Sequence, residues 1–176
     1  MTAAHIAELP ITGAERHARG FTLIELIVVI IIISTLATVA IDRLLYWQER
    51  AEKAMMESSL EAMKMGLRIH MAELMAANRG GDFSTLEREN PMRWLAEPPA
   101  DYAGEDQPQS KPGWYFVSRD HELVYLPRSS AHLEVLQNAD QGLHFRVVLE
   151  YATNPVSGTR VPAGVTVVPV TTFKWF

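Results

Sequence analysis

The sequence predicts an α+β protein: a long N-terminal helix, its first half transmembrane, packed on a small antiparallel β-sheet. Three observations predict it. From Phe21 to Ile41 the chain is apolar, with Glu25 as the only charged residue, and that length crosses a bilayer as a helix. The helical pattern then continues to about Asn78 without a proline. From Trp114 onward the texture turns to short strands separated by turn residues. A chain of 176 residues accommodates one domain plus a membrane segment.

The apolar segment begins at its most informative point, Arg19-Gly20-Phe21-Thr22-Leu23-Ile24-Glu25. An ionised carboxylate in hydrocarbon costs a few kcal/mol or more, so Glu25 needs a partner or a proton. Arg16 and Arg19 precede the run, and by the positive-inside rule they remain cytoplasmic while the long C-terminal part is exported. The opposite flank, Asp42-Arg43, is balanced in charge and opposes that orientation little.

Gly20-Phe21-Thr22-Leu23-Ile24-Glu25, with basic residues before it and a Leu/Ile/Val run after it, resembles the processing site of type IV pilins and type II secretion pseudopilins. The resemblance implies a pilin-like fold and a division into four parts: a cytoplasmic leader peptide (1–20), the transmembrane half of the helix (21–41), its amphipathic half (42–78) and a globular head (79–176). It also implies that a prepilin peptidase/methyltransferase cuts between Gly20 and Phe21 and N-methylates Phe21. Glu25 then matches the family's glutamate near the mature N-terminus. In a staggered filament that carboxylate meets the Phe21 amine of a neighbouring subunit, and only the correct stagger brings the two charges together. The implied partners are the peptidase, other pilin or pseudopilin subunits, an inner-membrane assembly platform and membrane lipid. The implied location is the bacterial inner membrane, single pass with the C-terminus outside the cytoplasm, and then a pilus or pseudopilus.

Two plainer readings compete. Thr38-Val39-Ala40 ends in a small residue, as a secretory signal cleavage site requires, but the run is too long for a usual signal core and would contain Glu25. A single-span anchor for a periplasmic binding domain that never polymerises also fits, and it leaves the Gly20-Phe21 junction unexplained.

Beyond Ile41, Met56, Leu60, Met63, Leu67, Met71 and Leu74 recur at spacings of three and four, so they share one helical face. Methionines at such spacing are core filler far more often than ligands, and this face is expected to meet the sheet. Glu49, Glu52, Lys53, Glu57, Glu61, Lys64, Arg68 and Glu73 are assigned to the remaining positions, with Glu49/Lys53 a supporting pair four residues apart. Asn78-Arg79-Gly80-Gly81 provides the stop.

The head reads in order. Ser84-Thr85-Leu86-Glu87 has capping-box spacing and Asn90-Pro91 resembles an N-cap, predicting short helices over 85–89 and 91–96. Residues 97–113, with four prolines, are expected to form an irregular connecting loop. Trp114–Ser118 and Leu123–Leu126 flank Arg119-Asp120-His121-Glu122 as a hairpin. Leu143, Phe145, Val147, Leu149 and Tyr151 alternate as one buried strand face. Asn154–Gly158 is a turn, and Val165–Thr172 is a strand whose Pro169 argues for an edge or a bulge. A three- or four-stranded antiparallel sheet follows. Phe173-Lys174-Trp175-Phe176 reads either as a strand packed on that sheet or as a contact for another subunit.

Nothing in the pattern points to an enzyme. The histidines at 5, 17, 70, 121, 132 and 144 make no ligand-spaced pair on a helix, and Ser129-Ser130 has no nucleophile elbow around it. His70 borders the methionine face and His144 falls on the polar side of a strand. Asp101, Glu105 and Asp106 match no defined cation loop, so no metal and no cofactor are expected. The absence of cysteine excludes thiol catalysis and removes the C-terminal disulfide that many pilins carry. A formal charge of −5 with no basic stripe beyond residue 19 gives no nucleic-acid surface.

Overall fold

The computed structural model describes residues 20–136, 142–155 and 157–176. The segment before Gly20, with Arg16, Arg19, His5 and His17, lies outside them, as does Val156 of the expected turn. The chain divides into two compact units, Met1–Arg43 and Leu44–Phe176.

One helix, α1, runs Leu23–Ala76. Its opening part meets the length and composition of a membrane span, and none of that window is buried. Ser34, Thr35 and Thr38 donate their hydroxyls to the carbonyls of Ile30, Ile31 and Ser34, so these polar groups are satisfied inside the helix. At the other end Asn78 adopts φ 56°. Arg79 N–H donates to Leu74 O at 2.9 Å and Asn78 N–H to Met75 O at 3.0 Å. That is a Schellman cap closed by asparagine in place of the expected glycines.

In the second unit the expected face is buried: Met56, Met63, Leu67, Met71 and Leu74 enter the core, and Leu60 packs against it. The face does not end there. Glu49 and Glu52 are also buried, at 1% and 8% exposure, which corrects their assignment to the solvated positions. In register they continue the same stripe, at 49, 52 and 56. Lys53 likewise reaches Glu57 at 3.8 Å and Trp175 O at 2.9 Å, and Glu49 is engaged elsewhere.

Two 3-10 helices follow, η1 (Gly80–Thr85), which lies ahead of the helix expected over 85–89, and η2 (Pro91–Trp94), which is shorter than the one expected over 91–96. The proposed capping box is not one: Thr85 ends η1, and Glu87 instead accepts from Leu149 N–H at 3.0 Å. Asn90 does cap η2, accepting from Met92 N–H at 3.0 Å ahead of Pro91. The carbonyl of Trp94 stands 2.5 Å from where a Cβ on Gly66 would be, so the single glycine within α1 is where η2 crosses it most closely.

The strands are β1 (Tyr102–Glu105), β2 (Gly113–Val117), β3 (Glu122–Leu126), β4 (Leu133–Val135), β5 (Leu143–Thr153), β6 (Arg160–Pro169) and β7 (Phe173–Trp175). The main sheet has five strands in the order β1-β2-β3-β5-β6, antiparallel except for the parallel β1–β2 pair. A separate pair joins β4 to β7. The sheet thus exceeds the three or four antiparallel strands expected, because β1 forms inside the stretch read as irregular and pairs in parallel with β2. Pro169 ends β6, which is an edge strand, as a residue without an N–H donor requires.

Trp114, Phe116, Leu123, Tyr125, Leu143, Phe145, Val147 and Leu149 present one sheet face to the helix and form the core with it. Trp114 lies 4.8 Å from Tyr125 and 5.7 Å from Phe145, ring to ring. Alternation in β5 holds through Leu149, but Tyr151 is 47% exposed. The pairing shifts between Glu150 and Tyr151, a bulge that turns the following side chains off the expected face.

Candidate functional site

The N-terminal junction is open. Gly20 and Phe21 precede α1, and Phe21 is 74% exposed. Among the described residues, its chain neighbours apart, no atom lies within 4 Å of where a Cβ on Gly20 would stand. Thr22 Oγ1 accepts from Glu25 N–H at 3.2 Å. Thr22 is therefore the N-cap and Glu25 the third helical residue, where a carboxylate also suits the positive end of the helix dipole. Thr22-Leu23-Ile24-Glu25 has capping-box spacing, a signal for this helix start that the sequence itself carries. The same six residues thus start the helix and carry the junction. Glu25 itself is exposed between Ile24 (71%) and Leu26 (53%), in a stretch where every aliphatic side chain is open.

A second carboxylate site lies in the globular unit, and sequence reasoning missed it. Glu49 accepts three bonds: His132 N–H at 2.9 Å, His132 Nδ1 at 2.7 Å and Trp175 Nε1 at 3.0 Å. Burial pushes its carboxyl up, but the His132 and Trp175 donors outweigh that and hold it below its ordinary value of 4.5. Glu52 accepts from Tyr125 OH at 3.1 Å and from the N–H groups of Arg128 and Ser129. Burial and the neighbouring Glu52 charge hold the Tyr125 phenol well above its usual range. Together the two carboxylates satisfy the backbone of the segment between β3 and β4, which has no sheet partner there, and the indole of β7. With these donors in place they serve as anchors that fix the loop and the C-terminal strand to α1.

The remaining candidates are also engaged. His70 stacks on Trp94 at 3.4 Å between ring centres and meets Glu73 at 3.2 Å. His144 Nδ1 is 2.9 Å from Glu122, which also pairs with Arg146 across the strands. Glu105 accepts from Arg93 Nε at 2.9 Å and Nη2 at 3.0 Å, and from Asn90 Nδ2 at 2.8 Å. Asp106 accepts from Ser118 N–H at 2.8 Å, which lowers its carboxyl. Among the described residues no three His, Asp or Glu side chains are grouped to hold a metal.

A long apolar N-terminal helix, a small mostly antiparallel sheet on its later part and a Gly-Phe junction before it make an α+β fold consistent with that of a pilin. Residues 16–41 match the model of the prokaryotic N-terminal methylation motif, the signature of type IV pilins and pseudopilins. No curated protein and no solved structure matches this chain.

Proposed function

We propose that the protein is a structural subunit, a major or minor pilin or a pseudopilin, of a type IV pilus or a type II secretion-like filament. The methylation motif at residues 16–41, leading into a fully exposed apolar helix, carries this reading. The motif points to a structural protein that is itself the substrate of a prepilin peptidase/methyltransferase. The enzyme cuts after Gly20 and methylates Phe21. The chain enters the membrane once, with its C-terminal part outside the cytoplasm. An apolar helix that leaves lipid must be covered by protein, and neighbouring subunits supply that cover.

Openness at Gly20 supports the junction's role. Glu25 is the assembly residue: its carboxylate pairs with the Phe21 amine of an adjacent subunit and sets the stagger.

Intact mass and N-terminal peptide mapping of protein from native membranes test the reading. The expected N-terminus is methylated Phe21. A chain that begins after Ala40, or one that retains Met1–Gly20 in the assembled state, overturns it.

A further inference from the structure

Five side chains from three distant segments form one cluster on the globular unit. Tyr46 stands edge-on to Trp47 at 5.8 Å, to His132 at 5.6 Å and to Phe176 at 5.4 Å, and His132 stacks on Phe176 at 5.1 Å. The Arg50 guanidinium lies 5.7 Å from the ring centres of Tyr46 and Phe176 and 5.8 Å from that of Trp47. Its Nη1 also donates to Tyr46 Oη at 3.3 Å. The rings hold each other and the cation, so the surface is preformed.

This surface is not core. Trp47 is 60% exposed and Phe176 37%, whereas Trp114 and Trp175 are buried and Trp94 is half-buried. Tryptophan and tyrosine prefer a setting with an apolar body and a wet end, which a membrane–water interface supplies. Location agrees. Trp47 follows Ile41 by six residues of α1, about 9 Å of helical rise. The headgroup layer on one side of a hydrocarbon core is of similar depth, about 5–8 Å. Net charge does not drive contact here, because Lys174 and Glu134 face each other in the β4–β7 register. Aromatic insertion carries the binding, and the caged guanidinium presents its remaining donors to an anion.

We infer that Tyr46, Trp47, Arg50, His132 and Phe176 form a membrane-interface anchor that seats the globular unit on phospholipid headgroups. Arg50 meets lipid phosphate, and Trp47 and Phe176 lie among the headgroups. This rests on the membrane-anchored reading above and goes beyond it, since it assigns lipid contact to the head as well as to the span.

The test reconstitutes the full chain in phosphatidylethanolamine/phosphatidylglycerol vesicles whose acyl chains are brominated near the headgroup. Flotation and tryptophan emission are read on the same sample. The protein is expected to float and to lose emission relative to unbrominated vesicles. Trp47→Phe, a change at an exposed site, is expected to remove most of that loss, since Trp114 and Trp175 are shielded by the fold and Trp94 is half-buried. Arg50→Gln is expected to reduce it, and an unchanged loss in that variant overturns the phosphate contact. Floating protein whose emission is not quenched overturns the anchor and leaves the membrane reading intact. The same holds if Trp47 emission is blue-shifted without quenching, which means a second copy covers it. Failure to float overturns both.

Discussion

Glu25 and Glu49 sit on the same helix among apolar neighbours, and their surroundings are opposite. Glu25 is exposed, and its backbone N–H is fixed by the Thr22 hydroxyl. Glu49 is 1% exposed and accepts from His132 and Trp175. A carboxylate within an apolar face therefore has two explanations that composition alone does not separate. It is either satisfied by its own chain, as at Glu49, or held for a partner outside it, as proposed for Glu25. Paired replacements separate the two. Glu49→Val is expected to destabilise the globular unit by about 3 kcal/mol, since it leaves the part-buried His132 N–H and the buried Trp175 indole without an acceptor. Glu25→Val is expected to leave the unfolding midpoint unchanged while abolishing filaments. Urea unfolding in detergent and electron microscopy of assembled material measure the two halves. A midpoint shift for Glu25→Val, or none for Glu49→Val, reverses the assignment.

The contrast extends along the helix. Around Glu25 there is room on every side, whereas in the globular unit the chain passes so close that only hydrogen fits at Gly66. Alanine normally favours a helix interior over glycine by about 1 kcal/mol. At Gly66 its methyl would stand 2.5 Å from the Trp94 carbonyl, so η2 must move. Overpacking of this kind costs about 1–3 kcal/mol, and we expect Gly66→Ala to destabilise by about 1 kcal/mol net of the propensity gain. The control is Ala37→Gly in the open stretch, which should leave the globular unit's thermal midpoint unchanged. A Gly66→Ala protein as stable as the parent would show that the approach of η2 is not tight.

The methionine stripe, the N-cap at Asn90 and the edge position at Pro169 were legible because each depends on residues a few positions apart. So was the methylation motif within residues 16–41. Glu49 and Glu52 were not, since their partners lie 73–126 residues away in sequence. Residue type also outweighed register: positions 49 and 52 continue the spacing of 56, 60 and 63, and the periodicity alone placed them inward. Strand β1 was obscured by the prolines around it and by its parallel pairing, which leaves no hairpin signal. At Tyr151 the alternation was correct in pattern, and a bulge redirected it.

Acid sharpens the comparison further. The Glu49 carboxyl is lower in the folded protein than its ordinary value, so the unfolded chain binds the proton more readily. Its contribution is present above the unfolded value near 4.5 and is lost as pH falls through the folded one. The urea midpoint is expected to be flat from pH 7 to about pH 6 and to decline below 4.5. In Glu49→Gln the decline should be shallower from a lower starting point. Parallel curves for the two proteins would remove Glu49 from the account of acid sensitivity.

The smallest effect tests how the load is divided among donors. Glu52 has three donors, and Tyr125→Phe removes one while leaving the Arg128 and Ser129 backbone N–H groups in place. The ring remains in the core beside Trp114, so packing is conserved and only the hydroxyl is lost. A single hydrogen bond to a charged group is worth about 1.5–3 kcal/mol. The phenol's own desolvation offsets part of that, and we expect a net loss of about 1 kcal/mol in urea. A loss as large as that of Glu49→Val would mean that the tyrosine, rather than the loop backbone, is what keeps the Glu52 charge tolerable in the interior.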